Sequence, residues 1–254
     1  SAVTVTNTGI TDNGNNGNGH GLNVAQTLSA LVTGNTFSAN QDTGLVINVR
    51  SANVEGNTFT DNGKAQASLE MDGALALTGN SASGLPRPFW LGGSIDSSLV
   101  LSSSIPVYGL NSLTIRSGRT LTLEPGVLFK SSGALYIDGA LDVQGSAASP
   151  VVFTSWQDDD YGGDSNGDGG NTLPSPGNWS GIQVRGQRRA AFNYALIRYA
   201  QTGHYGYADG AVSEAVSPAL NNSIVEQSSG DGVHLRDYDP TMRSSFSLNA
   251  TTLR

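Results

Sequence analysis

The densest set of side chains able to do chemistry lies between Trp156 and Trp179, where the chain reads Asp158-Asp-Asp-Tyr-Gly-Gly-Asp164-Ser-Asn166-Gly-Asp168-Gly169. Asp164, Asn166 and Asp168 set oxygen-bearing side chains at alternate positions, and Gly169 follows where a chain wrapping a cation must turn sharply. This is the first half of a calcium loop. The bidentate Glu that normally closes such a loop is missing, because Ser175 stands at the twelfth position. Asp158, Asp159 or Asp160 can supply that carboxylate from the near end of the stretch. These acidic and amide side chains repel one another unless a cation neutralises them. A structural Ca2+ is therefore expected, with Asp158, Asp159, Asp160, Asp164, Asn166 and Asp168 as its ligands and an affinity of about 10⁻⁴ to 10⁻³ M, as in extracellular modules.

Other reactive groups are sparse. Asp159 and Asp160 are adjacent and would point to opposite sides of a strand, whereas a paired acid and base must converge on one bond. His20 sits in a polar turn and reads as solvated, and His204 and His234 have no serine or carboxylate at triad spacing. There is no cysteine, which excludes thiolate nucleophiles, thiolate metal sites and disulfides. No catalytic residue is assigned, and the reading leans away from an enzyme. Arg185, Arg188, Arg189 and Arg198 form the one basic cluster, beside Tyr194, Tyr199, Tyr205 and Tyr207. Rings stack on pyranoses and guanidinium pairs with carboxylates, so this cluster is a candidate site for anionic glycans. The plainer alternative is that the arginines offset the acidic stretch.

The elements that must carry these residues show themselves as a repeat. Val32-Thr-Gly-Asn-Thr-Phe37 recurs as Val54-Glu-Gly-Asn-Thr-Phe59 and more weakly as Leu77-Thr-Gly-Asn-Ser-Ala82. Leu22 and Val24 find partners in Leu45 and Ile47, then in Leu69 and Met71. Each pair alternates as strand residues facing one side do. Later, Leu113 and Ile115 recur as Leu135 and Ile137, Leu121 and Leu123 as Leu141 and Val143, and Val127 and Phe129 near Val151 and Phe153, which gives three strands per turn. Asn193, Asn222 and Asn249 open further copies. A period of this length marks a solenoid. The expected fold is all-β, a right-handed parallel β-helix with three faces, coils of about 20 to 29 residues, and a long acidic loop inserted at 157–179. Residues 1–84 read as one module, the proline-punctuated stretch 85–110 as a junction, and 111–254 as a second module. Stacking at strand spacing would place Asn35, Asn57 and Asn80 in one column as an amide ladder.

Composition narrows the function. The chain has 254 residues, a formal net charge of −8, and lysine only at Lys64 and Lys130. A nucleic-acid-binding surface needs a concentrated basic stripe, so nucleic acid is not an expected partner. No apolar run is long enough for a transmembrane helix.

Thr120-Leu-Thr-Leu-Glu-Pro-Gly-Val-Leu-Phe-Lys130, Gly139-Ala-Leu-Asp-Val-Gln-Gly145, Pro150-Val-Val-Phe-Thr-Ser155 and Pro176-Gly-Asn-Trp-Ser-Gly-Ile182 resemble secreted and cell-surface proteins of the pectate-lyase-like parallel β-helix superfamily. The resemblance implies a secreted, extracellular or cell-surface location. Asp237-Tyr-Asp-Pro-Thr241 resembles the Asp-Pro-His of uronate epimerases without its histidine, which removes the catalytic group. The expected role is a structural or adhesive solenoid module, calcium-stabilised, assembling end to end as a filament or forming one unit of a longer array. The alternatives are a polysaccharide lyase or hydrolase of the same fold, and a module that binds a surface polysaccharide.

Overall fold

The computed structural model describes residues 1–16, 19–185, 189–208, 217–237 and 246–254. Among these the secondary structure is β-strand and turn, with no helix, and the strand pairings are parallel. The chain winds into a parallel β-helix, as its period predicts. One 16-stranded sheet runs from Ala2–Thr6 to Thr252–Leu253, a 6-stranded sheet from Leu99–Leu101 to Ser247–Asn249, and a 4-stranded sheet joins Gly9–Thr11, Thr36–Ser38, Thr58–Thr60 and Ser81–Ser83. In the early coils one long strand, such as Leu22–Thr33 or Thr43–Glu55, serves two faces by bending. In later coils the faces are carried by separate strands, as in Leu128–Ser131, Ala134–Ile137 and Ala140–Gln144.

The repeated Gly-Asn phrase builds a corner. Gly34, Gly56 and Gly79 have φ of 66°, 62° and 71°, in the left-handed region that a residue with a Cβ enters only at a cost. The phenylalanines of the phrase then point inward. Phe37 stacks on Phe59 with ring centroids 5.1 Å apart, and the column continues edge-on through Phe89 and Tyr108 to Phe129, which stacks on Phe153 at 5.5 Å. From Phe37 to Phe153 each ring is thus buried against its neighbours, where aromatic pairing adds about 0.5 to 1.5 kcal/mol beyond the area buried.

Two registers differ from the sequence reading. Leu45 pairs with Ala67 and Ile47 with Leu69, so the partners of Leu45 and Ile47 lie two residues earlier than Leu69 and Met71. A two-residue slip keeps the same face inward, so alternation cannot detect it. Asn193 pairs with Asn221, and Asn221 with Asn249, rather than Asn222 holding the middle place. Pairing also passes through 85–110, where Phe89 lies between Ala67 and Tyr108. None of the described residues forms a helix long and apolar enough to cross a membrane.

Candidate metal centre

The acidic stretch leaves the sheet after Val151–Ser155 and returns at Gly181–Arg185. Both ends are pinned. The Trp156 amide donates to the Ser131 carbonyl and the Ser180 amide to that of Gly133, each at 3.0 Å. Trp179 is almost wholly buried, and its indole N–H donates to the Arg198 carbonyl at 2.8 Å. Between these points the loop folds back over the outside of the sheet. Alternation sends Phe129 and Phe153 into the main core and leaves Leu128 and Val152 pointing outward. With Val107 and Leu196 they form a second apolar cluster, and Tyr161 of the loop packs on it. Arg87, from an earlier coil, donates to the carbonyls of Asp164 and Ser165 at 3.3 and 3.5 Å.

Within the loop the carboxylates organise the backbone. Asp164 accepts the amides of Gly167, Asp168 and Gly169 at 2.7, 3.0 and 3.0 Å, which needs the left-handed turns at Gly167 and Gly169. Asp168 accepts the Thr172 hydroxyl and the amides of Gly170, Asn171 and Thr172. These bonds, that of the Thr172 hydroxyl foremost, hold its carboxyl below the ordinary range. Asp159 goes the other way: burial pushes its carboxyl up against the pull of Lys130, and Asp164, Asp168 and Asp158 add to the rise. Its Oδ1 is sealed from solvent without a hydrogen-bond partner. Asp159, Asp164 and Asp168 each offer a carboxylate oxygen, and these oxygens lie within 4.8 Å of one another. Lys130 stands under them with no exposed surface, its amine donating to the Gly163 carbonyl at 2.7 Å. Burial lowers its pKa, while Asp159, Asp158 and Asp164 pull it back up.

The structure thus brings together three of the six residues read as ligands. Asp158 is fully buried, accepts the Thr154 hydroxyl, and lies 3.7 Å from Arg198; Asp160 is exposed and 3.8 Å from the same guanidinium. Asn166 donates its amide to Asp168 at 3.1 Å. Three converging carboxylates suit a hard cation that takes oxygen ligands.

The arginines serve separate partners. Arg185 forks onto Asp138 at 2.8 and 3.0 Å and lies 4.3 Å over the Tyr136 ring. Arg198 sits between Asp158, Asp160 and Glu226 and over the buried Tyr199. Arg189 is exposed and Tyr194 half-buried. Arg188, the side chains of Tyr205 and Tyr207, and residues 238–241 of the Asp-Pro motif lie outside the described residues.

Asn35, Asn57 and Asn80 form a buried column in which Asn35 Nδ2 donates to Asn57 and Asn57 Nδ2 to Asn80, both at 3.0 Å. A second column escaped the sequence reading: Asn13, Asn40, Asn62 and Gln66 link at 2.8, 2.9 and 2.8 Å. Its signal is the 22-residue spacing of Asn40 and Asn62, which stops there because the period carries no third Asn and Gln66, four residues after Asn62, closes the column instead.

Residues 1–119 match the model of a family described as periplasmic copper-binding protein (NosD). No curated protein and no solved structure matches the chain. Copper takes imidazole, thiolate and thioether donors. The matched segment holds His20, Met71 and no cysteine; Met71 is buried in the core, and His20 lies 3.7 Å from Asp42. Among the described residues the three-carboxylate group lies outside the match, and its donors are wrong for copper. Among the described residues no group of imidazole, thiolate and thioether donors is brought together that would fit that metal. Winding, parallel pairing and this similarity together make the chain a parallel β-helix repeat protein.

Proposed function

We propose that the chain is a structural and adhesive module of an extracytoplasmic β-solenoid, with its inserted loop clamped by calcium. The observation that carries this reading is the convergence of Asp159, Asp164 and Asp168 within a loop already tied to the sheet at Trp156 and Trp179. A cation there would neutralise carboxylates beside Lys130 and would fasten the loop over the outer apolar cluster. The name of the matched family refers to the periplasm, which supports a place of action outside the cytoplasm. Ala2–Thr6 and Thr252–Leu253 end the main sheet on opposite sides, and a free strand edge recruits further strands. End-to-end association, or continuation into more coils, is part of this reading.

Thermal unfolding with added CaCl2 or EDTA, together with limited proteolysis of the loop, tests the clamp. Calcium at ten times its dissociation constant should stabilise by about 1.4 kcal/mol and slow cleavage between Trp156 and Trp179. Identical curves and identical cleavage under both conditions defeat it.

A further inference from the structure

Beside the loop, the outer face of the sheet carries a feature that neither metal binding nor stacking uses. Trp90 and Trp156 are both half-exposed, with ring centroids 4.7 Å apart and planes inclined at 50°. The Trp90 indole lies across Gly109 of the next coil, so close that a Cβ there would stand 2.4 Å from the ring. The Glu70 carboxylate lies equally close over Gly92, where a Cβ would meet Oε2 at 2.2 Å. Two glycines thus keep the floor clear beneath an indole and a carboxylate. Glu70, Trp90 and Asn111 line a cavity of about 230 Å³. A larger groove of about 780 Å³, lined by Asn48, Arg50 and Asp72, adjoins it and shares Glu70. Burial raises the pKa of Glu70, and among the described residues it forms no ion pair.

We infer that this groove binds a segment of a neutral polysaccharide, with the half-exposed Trp90 indole, braced by Trp156, stacking on one pyranose ring and Glu70 and Asn111 as hydrogen-bonding partners for its hydroxyls. An indole face takes the C–H side of a sugar ring, while carboxylate and amide groups at the rim take hydroxyls, which need no opposite charge. The excess of acidic groups in the chain disfavours an anionic polymer. The inference rests on the adhesive reading and gives it a ligand class. It assigns that role to residues other than those of the Arg185–Tyr207 segment.

Affinity electrophoresis of the full chain tests it, in gels cast with hydroxyethylcellulose, glucomannan, neutral arabinoxylan or soluble starch, and separately with polygalacturonate. Retardation is expected in at least one neutral gel and not in polygalacturonate. Trp90→Ala, Glu70→Gln and the exposed Asn111→Ala should each weaken it, Trp90→Ala by about tenfold or more, while Arg189→Ala should not. Circular dichroism checks that each variant is folded, and Asn111→Ala keeps the test open should Trp90→Ala fail to fold. Unaltered mobility in every neutral gel, retardation by polygalacturonate alone, or full retardation of folded Trp90→Ala and Asn111→Ala overturns the inference. Retardation that survives EDTA upholds the groove, and the calcium clamp is then judged by the melting shift and loop cleavage alone. A calcium-dependent melting shift without retardation overturns the groove and leaves the clamp standing.

Discussion

The amine of Lys130 donates to the carbonyl of Gly163 across 2.7 Å, so a strand residue of one coil holds the inserted loop at a point 33 positions further along the chain. Lys130→Met keeps the length of the side chain but leaves that carbonyl without its donor and the carboxylates without their internal cation. A loss of about 1 to 3 kcal/mol is expected from urea unfolding. Without the fixed charge, calcium becomes more important, so the gap in melting temperature between CaCl2 and EDTA should widen in the variant. A gap that narrows would mean that Lys130 is not the counter-charge of this cluster.

Asp168→Asn keeps the size of the side chain and removes a formal charge from the group at its most hydrogen-bonded member. Calcium stabilisation should fall to less than half, read as the melting shift on titration with CaCl2. Asp160→Asn, whose carboxylate faces Arg198, should leave the shift unchanged. Equal effects from the two would relocate the cation.

Asn57 has no exposed surface and joins both neighbours in its column. Asn57→Ala strands the Asn35 amide and the Val32 carbonyl, to which Asn57 Nδ2 donates at 2.8 Å. At about 1 to 3 kcal/mol for each buried group left unpaired, the variant should lose at least about 2 kcal/mol in urea. Asn249→Ala, exposed at the far end of another column, should lose under about 1 kcal/mol.

His204 is completely buried against Phe192, with neither ring nitrogen hydrogen-bonded, and burial pushes its pKa down to about 4. The unfolded chain takes up this proton near pH 6.5 and the folded chain does not, so its contribution is fully present above pH 6.5. It is lost progressively as the pH falls toward 4, by about 3 kcal/mol in all. Urea midpoints measured between pH 7 and pH 4 should show that slope, and His204→Leu should flatten it. A variant whose stability falls as steeply as that of the parent would place the titration elsewhere.

Much of the fold was legible because its two signals, alternation within strands and recurrence near 22 residues, are both one-dimensional. What alternation cannot see is a slip of two: it aligns Leu45 with Leu69 as readily as with Ala67, its partner in the sheet. The acidic loop could be read as a ligand set, but not that Asp158 turns to Thr154 and Arg198 while Asp159 turns to Asp164. That choice depends on the buried Lys130, which nothing local marks as buried. Its alternating neighbours predict an outward side chain, and only the returning loop covers it. The pairing of Trp90 with Trp156 is hidden for a related reason: the two belong to different coils, one in a stretch punctuated by prolines and the other at the start of an insertion.

Parallel pairing throughout the described coils has a consequence for symmetry. The edge presented by Ala2–Thr6 and the edge presented by Thr252–Leu253 are different surfaces, since each strand runs in the same sense as the one before it. A two-fold dimer built edge to edge would set like edges antiparallel, a geometry found in none of these pairings. Were copies of this chain to pair through unlike edges, the contact would be heterologous and each added copy would present the same kind of edge again, so such an assembly would be open and polar rather than closed.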